Sequence, residues 1–241
     1  MPPHPRPHSA SLWIAAVRVM MFAFLFLVCV RFGAILLGAL IADPPGDIRG
    51  RTAFAITGAL LGQLIAAGSL LVWMLGTGRD GRWLGLKGRA PAKAWLLAPA
   101  IALLWVLLVW NGVLAKTGGF GELSLWRISL ALGAGVIGGT CEELVFRGAV
   151  IQSLAEAHAP RWSQFAAGSL LFGVAHLGWA ALAGNLAAGL AAAVFTAILG
   201  AALSLLFLWG GRSLWPCIAA HASINLAIEP WLVFAMMQAK G

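Results

Sequence analysis

The sequence predicts an all-α fold, a polytopic transmembrane bundle of seven to eight helices, and three observations carry that prediction. Hydrophobic residues make up 61% of the 241-residue chain and charged residues only 10%, where soluble domains carry about 25% charge. Mean hydropathy is +0.91. The apolar residues gather into runs of about 20 or more, the length that crosses a hydrocarbon core at 1.5 Å of rise per residue.

Taken in order, Met1 to Ser11 is rich in Pro and His and is expected to be a disordered tail, leaving 12–241 as a single transmembrane domain. The first span, 12–42, is too long for a secretory signal peptide and has no small-residue cleavage site. Further spans are expected at 52–75, 94–115, 128–155, 162–179, 185–209 and 214–237, with Pro230 kinking or splitting the last. Trp73, Trp95, Trp110, Trp126, Trp162, Trp179, Trp209 and Trp215 lie near span ends, where an indole buries its ring and keeps its N–H among the headgroups.

Lys and Arg number 16 against 8 Asp and Glu, a net charge of +8. The basic residues sit in short loops and form no continuous stripe, so no nucleic-acid partner is expected and the charges are read as topology signals. The richest loop, 77–93, holds Arg79, Arg82, Lys87, Arg89 and Lys93 against Asp80 alone. It is placed in the cytoplasm, with the N-terminus inside and 43–51 outside. The expected setting is the inner (plasma) membrane of a bacterium. Arg18 and Arg31, in or near the first span, read as snorkelling side chains or a tilted helix.

Cys29, Cys141 and Cys217 fall in apolar segments, far from any CxxC spacing, and read as small buried hydrophobes. The chain has no Tyr, which removes a phenolic acid or oxyanion donor from the candidates.

Residues 140–148 read Thr-Cys-Glu-Glu-Leu-Val-Phe-Arg-Gly and put Glu142, Glu143 and Arg147 inside the fourth span. A charge at the centre of a span costs roughly 2.5–3.5 kcal/mol on insertion scales, so three together mark a site. Glu143 and Arg147 are four apart and can pair along one helix face. Glu142 is turned about 100° from Glu143 on ideal winding and is left to face other helices and a water. Gly135 and Gly139 have the spacing that lets membrane helices approach closely, which makes this span the centre of the bundle.

Two more polar pairs join it: Phe172 with His176 on the fifth span, and His221 with Asn225 on the seventh. Counted from the cytoplasmic ends, Glu142 and His176 both lie roughly 20 Å deep and His221 roughly 12 Å. One carboxylate and two imidazoles in a wet pocket suit amide hydrolysis. A carboxylate freed from bulk water is a stronger base, and an imidazole can polarise the carbonyl. Glu142, His176 and His221 also match the two-His, one-carboxylate ligand set of catalytic zinc, so Zn2+ is the cofactor this set would take and a metal-free mechanism stays open beside it.

The set Glu142-Glu143-x-x-x-Arg147, Phe172-x-x-x-His176 and His221-x-x-x-Asn225, in that order on successive helices, resembles the CPBP family of intramembrane proteases, which includes the CAAX-prenyl proteases and bacteriocin-processing, Abi-type enzymes. The resemblance runs from Gly133 to Leu226. It implies a membrane endopeptidase with a catalytic core at about 128–228. Glu142 activates water, His176, His221 and Asn225 assist or line the site, and Glu143, Arg147 and Phe172 support it. The implied partners are a peptide or protein substrate at the membrane and the lipid bilayer itself. No His-Glu-x-x-His helix, no Gly-x-Ser-x-Gly elbow and no aspartate within a span is present to support another intramembrane protease class. The rival from a different class is a proton-coupled transporter, or an immunity-type membrane protein that binds a peptide without cutting it. The paired, broken helices of inverted transporter repeats are not visible between the halves.

Overall fold

The computed structural model describes residues 9–40, 46–117, 124–178 and 184–239. Eight helices account for nearly all of them, and no strand occurs among the described residues: α1 (Ser9–Leu40), α2 (Ile48–Gly76), α3 (Gly81–Leu84), α4 (Ala92–Gly112), α5 (Leu125–Glu156), α6 (Arg161–Ala175), α7 (Leu186–Trp209) and α8 (Trp215–Ala239). All but α3 and α6 are long and apolar enough to cross a membrane, six in all. The chain is an integral membrane protein with the expected all-helical polytopic architecture. Of the expected tail, residues 1–8 lie outside the described residues, as does Trp179.

Close helix contacts follow the small residues. In the α1–α2 hairpin, Gly33 and Gly62 face each other so tightly that a Cβ on either would run into the partner's backbone, at Gly58 and Gly62 or at Cys29 and Val30. In the α5–α8 contact a Cβ on Gly139 would lie 3.2 Å from the Ala222 nitrogen and one on Gly135 2.8 Å from the Ala222 carbonyl. Helix α5 is the central one. Its most apolar stretch is 56% buried, against 22–44% for the other five spans, and α1, α2, α6 and α8 all pack on it.

The winding of α5 is interrupted twice. Residues Gly133–Gly138 and Leu144–Val150 are wound as π-helix, on either side of a five-residue α segment, Gly139–Glu143. Such segments concentrate at functional positions.

Two elements differ from the sequence expectation. The fifth span, expected over 162–179, is the 15-residue helix α6 followed by a 3-10 turn at His176–Gly178. It spans roughly 22 Å, short of a full crossing. Helix α8 is unbroken through Pro230, so of the kink or split expected there the split does not occur. A proline frees one carbonyl in the preceding turn, and a membrane helix tolerates this when neighbours take up the freed group.

At the end of the bundle that carries the basic loop, Asp80 caps α3 by accepting from the Arg82 amide at 2.9 Å. That bond, with Lys87 and Arg82 beside it, holds the exposed Asp80 carboxyl below the usual carboxylate range. Leu84 is fully buried against Gly148, and Gly85 adopts φ 89°, leaving its carbonyl to receive the Leu214 amide at 3.1 Å. The loop thus closes under α5 and α8. Arg18 departs from the snorkelling reading: it pairs with Glu156 at 3.0 Å. Arg79 reaches the same carboxylate at 2.9 Å while lying over the Trp73 and Trp83 rings. A carboxylate at the last turn of α5 is within reach of both guanidinium groups, so neither needs to seek the headgroups.

Candidate active site

Helix α5 turns both of its adjacent glutamates into the bundle: Glu142 is 7% exposed and Glu143 0%. They are met by Arg147 of α5 itself and by groups from α2, α8 and the end of α6. Arg147, also at 0% exposure, donates from Nη1 to Glu143 Oε1 at 2.8 Å and from Nη2 to the Gly200 carbonyl of α7 at 3.1 Å. Its guanidinium lies 4.4 Å from the centre of the Phe172 ring. A buried ion pair holds only when further hydrogen bonds and packing compensate its desolvation, and the carbonyl and the ring supply them.

Glu143 does more than pair with Arg147. The same Oε1 atom lies 2.8 Å from His221 Nδ1. An ionised carboxylate only accepts, so the proton is on Nδ1 and His221 Nε2 faces the other way. It points to Glu142 Oε2, 3.6 Å distant. The expected separation of roles between the two glutamates therefore gives way to one connected chain, Arg147–Glu143–His221–Glu142. Both glutamates lie in the α-wound segment Gly139–Glu143, and it is His221 of α8, with one ring nitrogen toward each acid, that joins them.

His176 arrives from the end of α6. The helix tightens there, the His176 backbone N–H bonding to the Gly173 carbonyl, and the Phe172 carbonyl is taken by the imidazole instead, at 2.8 Å from Nδ1. Ring capture of a helix-end carbonyl fixes the tautomer. Nδ1 carries the proton, and Nε2 faces Glu142 Oε2 at 4.0 Å. Both imidazoles thus converge on a single oxygen through Nε2, at distances longer than a hydrogen bond and suited to a bridging water. Phe172, fully buried, lies against both rings with centroid separations of 4.7 Å to His176 and 5.6 Å to His221.

Asn225 lies one turn beyond His221 and donates to the Ala134 carbonyl at 3.4 Å. It makes no hydrogen bond to Glu142, His176 or His221 among the described residues. Glu229, which reads from sequence as a residue at a kink, is within an unbroken helix and within electrostatic reach of Glu142 and His221. Cys29, Cys141 and Cys217 are free and buried.

One contact was not anticipated. Gln63 of α2 donates from Nε2 to Glu142 Oε1 at 2.6 Å, and both side chains are buried. The single signal for it in the sequence is an amide between Gly62 and Leu64 in an otherwise apolar span.

The ligand set expected for zinc is Glu142, His176 and His221. Each imidazole presents Nε2 to the carboxylate, and each is oriented by an oxygen on its Nδ1, the usual outer support of a metal-bound histidine. Among the described residues, however, no three His, Cys, Asp or Glu side chains stand close enough together to form a ligand cluster.

No curated protein and no solved structure matches the chain. Residues 124–227 match the family model described as Type II CAAX prenyl endopeptidase Rce1-like, a segment that takes in α5, α6, α7 and the part of α8 bearing His221 and Asn225. Over those residues the chain is similar to that family.

Proposed function

We propose that this protein is an intramembrane endopeptidase that hydrolyses a peptide bond of a membrane-associated protein or peptide, with Glu142 as general base toward water. The observation that carries the reading is the convergence of two imidazole Nε2 atoms on Glu142 Oε2, at 3.6 and 4.0 Å. The family match supports a protease in general terms.

A water held among these three atoms gives its proton to Glu142 Oε2 as its oxygen attacks the scissile carbonyl. His221, as the imidazolium with a proton on each nitrogen, hydrogen-bonds through Nε2–H to the carbonyl oxygen as negative charge grows there and keeps that proton when the C–N bond breaks, with Glu143 behind the ring balancing its charge. His176 Nε2 accepts the second hydrogen of the water and aims its lone pair. Glu142 then returns its proton to the leaving nitrogen. A zinc ion would need Glu142, His176 and His221 drawn into a tighter cluster than they form here, and would then supply Lewis-acid activation of the water.

The test is cleavage of quenched fluorescent peptides, prenylated and unprenylated, by the full chain in proteoliposomes. Glu142→Gln and His176→Ala each lower kcat by at least about a hundredfold, the scale of losing a positioned acid–base group. Undiminished cleavage by both variants overturns the assignment. The same assay before and after chelation decides between the bare and the metal-assisted mechanism. The basic loop at 77–93 supports a cytoplasmic N-terminus in a bacterial plasma membrane.

A further inference from the structure

We propose that Gln63 is a positioning residue of the catalytic centre, so that α2, which lies outside the matched segment 124–227, is a working part of the site. The inference rests on the reading of Glu142 as the base.

A glutamate side chain can present either carboxylate oxygen to its surroundings. Gln63 removes that freedom: its amide holds Oε1 at 2.6 Å, and Oε2 is left as the oxygen facing the two imidazoles. The orientation of the amide follows from the partner. An ionised carboxylate only accepts, so the NH2 end turns toward Glu142 and the carbonyl end turns away. That carbonyl oxygen is buried without a hydrogen-bond partner among the described residues.

Space-filling does not account for this arrangement. Leucine or methionine would fill the same space without the unmatched Gln63 Oε1, but would leave Glu142 Oε1 without its donor, so the amide is there for the carboxylate. Room for the amide comes from a second element. At Gly138, in the first π segment of α5, a Cβ would lie 3.0 Å from Gln63 Oε1 and 3.3 Å from Leu60 Cδ2. The glycine and the glutamine fit as a pair, and the pair sets the direction of the base.

The experiment uses the full chain in proteoliposomes and compares wild type, Gln63→Met, Gly138→Ala and the double variant. Methionine keeps the length of the side chain and removes the donor. We expect Gln63→Met to lower kcat roughly 10- to 100-fold, as small misplacements of a reacting group do, with KM within about twofold and an unchanged melting temperature. Gly138→Ala lowers kcat in the wild-type background and has little further effect in the Gln63→Met background. An infrared readout is independent of turnover: the carboxylate band that disappears in Glu142→Gln shifts in Gln63→Met. A kcat within twofold of wild type, or an unmoved band, overturns the proposal and leaves the protease reading intact. If Glu142→Gln cleaves as well as wild type, the protease reading falls, and the infrared comparison still decides whether Gln63 holds Glu142.

Discussion

Arg147 is the largest fully buried side chain among the described residues, and it faces Glu143 with no exposure on either side. Removing one member of such a pair leaves an uncompensated charge, at a cost of about 3–5 kcal/mol. Arg147→Met should therefore lower the midpoint of thermal unfolding in detergent sharply, and Glu143→Gln added to it should recover part of the loss. Recovery of stability without recovery of cleavage is expected, because Glu143 also holds the His221 ring. At this scale the sequence was informative wherever partners are local. Glu143 with Arg147 is a contact four residues apart and was readable as such. The hold of Glu143 on His221 joins residues 78 apart, and that of Gln63 on Glu142 residues 79 apart. A lone amide in an apolar run resembles any polar residue between helices, so only assembly of the bundle shows what Gln63 touches.

Among the elements, α5 and α8 have to lie close enough for an imidazole on one to reach a carboxylate on the other. Gly139 sets that distance, since a Cβ there would already meet the Ala222 backbone at 3.2 Å. Gly139→Val should separate the two helices and reduce cleavage to background while the protein still inserts, which protease protection of the loops would verify. The small-residue spacing was visible in the sequence, and the close approach follows it. The end of α6 was not visible. Hydropathy over 162–179 is continuous, and nothing in an apolar profile shows that a histidine ring will capture the Phe172 carbonyl and end the helix at the site. At Pro230 the sequence allowed a kink or a split, and α8 carries the proline without a break.

Across the whole molecule, charge organises the end that carries the basic loop. Glu156 gathers Arg18 from α1 and Arg79 from the α2–α3 loop, tying the first hairpin to the last turn of α5. These groups are partly exposed, with Glu156 side-chain exposure at 36%, so each contact contributes about 1 kcal/mol or less. Glu156→Gln should lower the melting temperature by a few degrees at low salt and by less at high salt. Asp80 gives a pH-dependent counterpart. Its carboxyl lies below the usual range when folded, so its cap on α3 is in place above the ordinary carboxylate pKa and is lost as pH falls through the folded value. Amide exchange at Arg82, corrected for intrinsic rates, should be flat from pH 7 to 5 and rise only below about pH 4. The composition alone established the membrane bundle. The ordered loop beneath it could not be read from composition, since Leu84 and Gly85 are buried by contacts made only after the helices have assembled.

The doubled π winding of α5 bears on how this protein can tolerate changes in length. Losing one residue anywhere in 133–138 would let that stretch relax into ordinary α winding, so the deletion need not break the helix at all. Its phase would also survive: six residues of π winding and five of α winding turn through about the same angle, so Arg127 and Ala131 would keep their facing relative to the two acids. A one-residue excision there should thus yield a helical, membrane-inserted protein whose interhelix seam stays in phase, whereas the same excision within the α-wound stretch 139–143 would re-phase it.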